Sequence, residues 1–226
     1  MEGGVILSSY TRPLQLKDDV MGQFFAIHPD NPQPRLVKQA VKIIQDGGII
    51  VYPTDSAYAI GCQLENKEAL DRIRYLRQLE SGHPFTLICR DLSEIATYAI
   101  VNNPSFRLLK AHTPGPYTFV LKATKEVPKR LLHPKRNTIG LRIPDNKIVQ
   151  ALLMELNGPL MSVTLTLPDQ EHPFIDAQDI QDLLGNQVDL VINGGACGTE
   201  GTTIVDLVDG IPKVVRAGKG SLDAFV

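Results

Sequence analysis

Hydroxyl side chains recur in this 226-residue sequence where apolar runs stop. Thr54 and Ser56 flank Asp55 after the run Ile49-Ile50-Val51. Thr118 follows a Pro-Gly-Pro turn, and Ser162, Thr164 and Thr166 alternate through LMSVTLTL. Thr202 and Thr203 follow the glycine-rich GGACGTEG. Successive strand side chains point to opposite faces, so the period of two puts Ser162, Thr164 and Thr166 on one face. One Thr in a strand is ordinary, whereas several such clusters at strand ends point to a polar pocket. Cations accompany them. The stretch 122–142 holds Lys122, Lys125, Lys129, Arg130, Lys135, Arg136 and Arg142 against the acid Glu126. Charge of this density attracts the phosphates of a nucleotide or of RNA, and is equally compatible with a solvated loop. Arg142 differs, because it lies inside the alternating strand TIGLRIP, where a long cation needs solvent or an anion. A ligand role is favoured for it over a structural ion pair.

Other chemistries lack their motifs. Neither GxxxxGK[ST] nor GxGxxG occurs, so the standard phosphate loops are absent, and there is no GxSxG elbow or HExxH. GGACGTEG at 194–201 is open to two readings, a backbone N–H cradle for an anion or a long surface turn. His28, His83, His112, His133 and His172 show no metal spacing, and no metal site is expected. Cys62, Cys89 and Cys197 have no CxxC spacing, which fits reduced thiols in a cytoplasmic protein. The formal net charge of −2 excludes nucleic-acid binding by bulk charge but not through a local patch. Apolar runs fall well short of the roughly 20 residues that span a bilayer, and the N-terminus lacks an export signal, so no membrane partner is expected. The sequence carries no signal of oligomeric state.

The elements that must position these residues follow from periodicity. Residues 1–20 show neither helical nor strand period and read as an N-terminal extension or a misassigned start, with the domain occupying 21–226. Apolar spacing of three and four predicts helices over Pro34 to Asp46 and Lys67 to Leu76, a short helix from Asp91, and helices over Lys147 to Leu156 and Ile180 to Leu184. Strands are predicted over Ile49 to Val51, Phe85 to Cys89, Tyr117 to Ala123, Thr138 to Ile143, Leu160 to Leu167, Leu190 to Ile192, Thr203 to Leu207 and Lys213 to Arg216. The run NNPSFRLLKAHTPGP is read as a rigid bend. Strands outnumber helices and the connections vary in length, which predicts a single α/β domain with a sheet of mixed direction.

Ordered along the chain, GGIIVYPTDSAYAIGC, TPGPYT, TIGLRIP, GPLMSVT, TTIVDL and VVRAG resemble the motifs of the YrdC-like threonylcarbamoyl-AMP synthases, most closely their YciO branch, over nearly all of Met21 to Phe225. The resemblance implies a twisted mixed parallel and antiparallel sheet with flanking helices and a concave, positively charged cavity. It implies formation of threonylcarbamoyl-adenylate from L-threonine, bicarbonate and ATP with accompanying Mg2+, for a tRNA modification. Carried over by position, Thr54, Thr118 and Thr202 would meet threonine; Arg77, Arg142, Ser162, Thr164 and Arg216 would meet the nucleotide; and Arg77 and Arg142 would supply charge to the reaction. Two departures stand out. The family's Lys-x-Arg signature falls on Arg77-Gln78-Leu79, with a further Lys replaced by His83, and its Ser-x-Asn reads Ser162-Val163-Thr164. Ala59 also stands where Gly is usual. Weak or altered activity is therefore expected. The alternative is a non-catalytic module that binds a nucleotide or double-stranded RNA through Lys122, Lys125, Lys129, Arg130, Lys135 and Arg136.

Overall fold

The first strand, β1 (Gln23–Ala26), is an edge strand. The computed structural model describes residues 21–80, 83, 85–168 and 170–225, so the extension expected over 1–20 lies outside the described residues. Helix α1 (Pro34–Gln45) opens on a proline, whose fixed φ suits a first turn, and buries Val37, Ala40, Val41 and Ile44 along one stripe. Gly47, at φ 90°, takes the left-handed conformation that lets the chain turn into β2 (Ile50–Tyr52). An antiparallel partner, β3 (Ala59–Gln63), follows the loop 53–58. It is absent from the sequence reading because its short apolar run merges with the turn before it.

Side-chain caps set the next boundaries. Asn66, Asp91 and Asn102 each accept an N–H from the first turn of α2 (Lys67–Arg77), α3 (Leu92–Tyr98) and α4 (Asn103–His112), with β4 (Thr86–Ile88) lying between the first two helices. Helix α4 corrects the expected rigid bend: Pro104 sits in the first turn, where no intrahelical donor is lost. The chain continues through β5 (Tyr117–Lys122), β6 (Thr138–Arg142), α5 (Lys147–Leu156), β7 (Leu160–Thr164), α6 (Ala177–Leu184), β8 (Leu190–Asn193), β9 (Thr203–Asp206) and β10 (Lys213–Arg216). Strand β7 ends at Thr164, so Thr166 does not continue the face of Ser162 and Thr164. Its partner β3 begins at Ala59, and only Leu165 N–H still reaches across, to the Tyr58 carbonyl at 2.9 Å.

Together the strands form one mixed sheet in the order β1-β8-β2-β3-β7-β4-β6-β5-β9-β10, the α/β class expected. One face packs Val51, Ile60, Leu87, Phe119, Leu141 and Met161 against α2, α4 and α6. On the other, α1 and α5 cover Ile50, Tyr52, Leu190 and Ile192 and reach as far as Ile88 and Leu160. Residues that alternate with the first set share this second face: Thr86, Thr118, Gly140, Arg142 and Ser162. A polar floor therefore continues the sheet past the apolar cover of α1 and α5. Among the described residues no helix is long and apolar enough to cross a membrane.

Gly61 is a close-approach point within this sheet. A Cβ there would lie 2.5 Å from the Met161 carbonyl oxygen and 3.2 Å from Tyr52 Cε1. Because backbone cannot give way as a flexible side chain does, Gly61→Ala is expected to destabilise the fold by about 1–3 kcal/mol, measured as a lower urea midpoint at unchanged slope.

Candidate functional site

Arg142 ends β6 on the polar face, and its side chain is 7% exposed. The loop after β2 wraps it. Nη2 donates to the Asp55 carboxylate, to Ser56 Oγ at 3.0 Å and to Thr54 Oγ1 at 3.4 Å. All these bonds leave from one nitrogen, and the buried Nε has no partner among the described residues. Burial pulls the guanidinium pKa down, while the carboxylate of Asp55 and the phenol of Tyr52 oppose that shift. The favoured ligand role for Arg142 thus meets an ion pair in the structure, but one that leaves donor capacity unspent.

Asp55 is the hub that the sequence reading did not single out. Its Oδ2 accepts the Asp145 N–H at 3.0 Å, just before α5, and its carbonyl accepts Lys219 Nζ at 2.6 Å from the C-terminal segment. Thr54 shapes the same loop from within. Its hydroxyl donates to the Ala57 carbonyl at 2.6 Å and accepts the N–H groups of Ser56 and Ala57. An acid between two hydroxyls directly after a strand was the available signal for Asp55. Lys219 had none, being 164 residues from its partner.

Thr118 and Arg142 sit side by side, flanking the registered pair Phe119–Leu141 on neighbouring strands. The hydroxyls of Thr118 and Thr202 meet at 2.8 Å, and Arg216 holds this corner through the Thr202 carbonyl, at 2.9 Å from Nη2. On the other side of the floor, Tyr52 donates to Ser162 Oγ at 2.6 Å. The residues expected at one site therefore converge in part: Thr54, Arg142, Thr118, Thr202, Arg216 and Ser162 are tied to one face and its rim. Thr164 ends β7 opposite Ala59, which is buried in the cluster under α1 and α5. Cys197 at the rim donates its thiol to the Thr54 carbonyl at 3.7 Å, and burial raises its pKa to about 11.

Two groups stand apart. Arg77 closes α2; its Nε is buried without a partner among the described residues, and desolvation lowers its pKa. His83 is also lowered, by burial and then by Arg77 and Arg74. Leu79 has a structural reason for its place. Gln78 takes the left-handed conformation (φ 47°), Leu79 N–H closes back on the Arg74 carbonyl at 3.0 Å, and the Leu79 side chain packs on the core. This is a helix-stop motif that uses a hydrophobic residue after the cap. The basic stretch divides as well. Arg130 donates to the Leu64 and Glu65 carbonyls, and Arg136 pairs with Asp206 at 2.7 Å. Lys122, Lys125, Lys129 and Lys135 are exposed, and none of their ammonium groups has a partner among the described residues.

A family model covering Sua5, YciO and YrdC proteins, described as telomere recombination, matches residues 42–218. The YciO protein of Escherichia coli (strain K12) is 57% identical over 206 residues, covering 91% of this chain and 100% of its own length. The crystal structure of E. coli YciO superimposes with a TM-score of 0.88 over 91% of this chain and 100% of that one. A threonylcarbamoyl-AMP synthase of Vibrio vulnificus (strain YJ016) is 30% identical over 161 residues, 70% of this chain and 86% of its own. P. abyssi Sua5 complexed with L-threonine reaches a TM-score of 0.82 at 20% identity, over 89% of this chain and 59% of that one, and shares the fold.

Removing one member of a buried ion pair leaves the other charge uncompensated, at a cost of about 3–5 kcal/mol. Asp55→Ala is expected to lose stability on that scale in urea unfolding. Asp55→Ala combined with Arg142→Met, which removes both charges, recovers most of the loss; a double variant as unstable as the sum of the singles contradicts this account.

Proposed function

The chain belongs to the Sua5/YciO/YrdC family, and on that premise we propose that it is an ATP-using enzyme of the threonylcarbamoyl-AMP synthase type, slowed or altered by its own substitutions. The observation that carries the reading is Arg142: a buried guanidinium that spends one nitrogen on the protein, keeps Nε unpartnered, and lies on a face with Thr118 and Ser162. Such a group is suited to an anion, since charge-assisted bonds to guanidinium are short and directional.

In this reading L-threonine and bicarbonate condense to N-carboxythreonine with loss of water. A carbamate oxygen then attacks the α-phosphorus of ATP; the new O–P bond forms as the bond to pyrophosphate breaks. The Thr118 and Thr202 hydroxyls, with Thr54 shaping the loop beside them, orient the amino acid. Arg142, Ser162, Thr164 and Arg216 serve the nucleotide, and Arg77 adds charge. Catalysis by placement and charge needs no protein nucleophile. Mg2+ arrives with ATP as part of the substrate. Leu79 supplies no charge where the family motif has Arg, and loss of one transition-state contact costs about a hundredfold or more in rate.

A second reading rests on the exposed lysines 122, 125, 129 and 135, which are free to meet RNA phosphates. Arg130 and Arg136 contribute less to it, because their guanidinium groups already bind the fold.

With L-threonine, bicarbonate, ATP and Mg2+, the purified protein is expected to release pyrophosphate above a protein-free control. Leu79→Arg should raise the rate about tenfold or more, with circular dichroism confirming that the end of α2 survives. No release from either protein abandons the synthase reading. For RNA, the triple variant Lys125→Ala, Lys129→Ala and Lys135→Ala is expected to flatten the salt dependence of binding by about one unit of slope per lysine; binding indifferent to salt removes that reading.

A further inference from the structure

We propose that Tyr52 is a positioning residue: it holds the Ser162 hydroxyl as a hydrogen-bond donor, so that the Ser162 hydrogen is aimed at a ligand acceptor, an oxygen or an unprotonated ring nitrogen. The inference deepens the nucleotide reading above and rests on it for the first choice of probe. It begins with a reach across a strand. Tyr52 on β2 and Ser162 on β7 are not neighbours, since β3 lies between them. The ring crosses β3 where Gly61 has no side chain, and a Cβ there would approach Tyr52 Cε1 to 3.2 Å. That gap lets the phenol oxygen come within 2.6 Å of Ser162 Oγ.

The direction of the bond matters more than its length. Tyr52 is 0% exposed, and Ser162 is its hydrogen-bond partner among the described residues. A buried hydroxyl hydrogen is costly to leave without an acceptor, so the phenol donates. Burial also raises the phenol pKa, which keeps that proton in place at any physiological pH. A serine has one hydrogen to give. With Ser162 Oγ already accepting, its own hydrogen has no acceptor among the described residues. Ser162 is 3% exposed and lies in register with Thr86 of β4, on the face that carries Arg142. A neutral donor on the same face as a guanidinium favours ligand acceptors.

The test is a mutant cycle read in ligand affinity as well as in stability. Dissociation constants for ATP and, separately, for L-threonine are measured by calorimetry for wild type, Tyr52→Phe, Ser162→Ala and the double variant, with urea unfolding of each. Tyr52→Phe keeps the ring and is expected to weaken ATP binding about 3–10-fold, the range of one neutral hydrogen bond. Ser162→Ala weakens it at least as much, and the double variant binds no worse than Ser162→Ala. Unchanged ATP affinity in Tyr52→Phe, even with a loss of stability, overturns the inference and leaves a structural staple; additive losses overturn it too. Wild type that binds L-threonine but not ATP sinks the nucleotide reading, and the same non-additive pattern on threonine retains the inference. Binding of neither probe overturns both. If Tyr52→Phe does not fold, Ser162→Thr against Ser162→Ala decides: the retained donor in Thr restores binding, and equal losses overturn the inference.

Discussion

A guanidinium inside a protein must be compensated, and the buried pair of Arg142 and Asp55 is the constraint around which this face is built. Moving each ion out of water costs several kcal/mol even after relaxation, and attraction offsets that only when the remaining donors and acceptors are also met. The carboxylate satisfies this condition. One oxygen takes Arg142 and the other takes the Asp145 N–H, while the carbonyl of the same residue anchors Lys219. Three segments far apart in sequence are thereby tied to one point: the loop after β2, the approach to α5, and the C-terminal segment. The guanidinium is less complete, because its buried Nε is unpartnered. Arg74, Arg77 and Arg130 share an unpartnered buried Nε among the described residues, so what distinguishes Arg142 is its place on the polar face and the deep burial of its ion pair.

The sheet explains why the Arg142 side chain lies on a polar surface. Alternation along β6 puts Ile139 and Leu141 into the large core and turns Gly140 and Arg142 to the opposite side. Helices α1 and α5 cover that side only as far as Ile88 and Leu160. Beyond them the floor is made of hydroxyls, and their partners are chosen by what lies between. Gly140 has no side chain, and a Cβ there would meet Thr118 Cγ2 at 3.1 Å. The Thr118 methyl leans over the glycine, while its hydroxyl meets Thr202. Gly61 does the same for the ring of Tyr52. In both places a glycine in a strand marks a side chain from a neighbouring strand that needs the room.

Much of this was legible in the sequence, and the gaps have physical causes. Period-two alternation in TIGLRI and period-three and four spacing in PRLVKQAVKIIQ locate β6 and α1 closely, because each element buries one face. Strand β3 escaped, since a short run such as AIGCQ, buried on both faces, carries no alternation. Helix α4 escaped because Pro104 and the later TPGP look alike to a reader of composition, although only the second ends an element. At the site, residue type pointed to Thr54 and Arg142, but not to what each would touch. Asp55 compensates the charge on Arg142, and its partners at 142, 145 and 219 are brought to it by the fold alone.

Position 79 shows two demands falling on one residue. In the adenylate-forming reading, the end of α2 should present cations to phosphate. The helix also has to stop there, and the stop it uses closes Leu79 N–H on the Arg74 carbonyl and seats the side chain on the core. A leucine meets the second demand fully and the first not at all. Arg77, within the last turn, has an Nε without a partner among the described residues, and His83, lowered by burial and by its arginine neighbours, adds little charge at neutral pH. The positive field at the end of α2 is therefore thinner than the family pattern implies, while Arg142 stands at its matching position. A catalyst that works by charge placement loses rate before it loses binding under those conditions, since contacts made only in the transition state are the ones removed. In the proposed synthase reading the substitution at 79 would therefore bear on turnover, and the polar floor with Arg142 on which ligand is held.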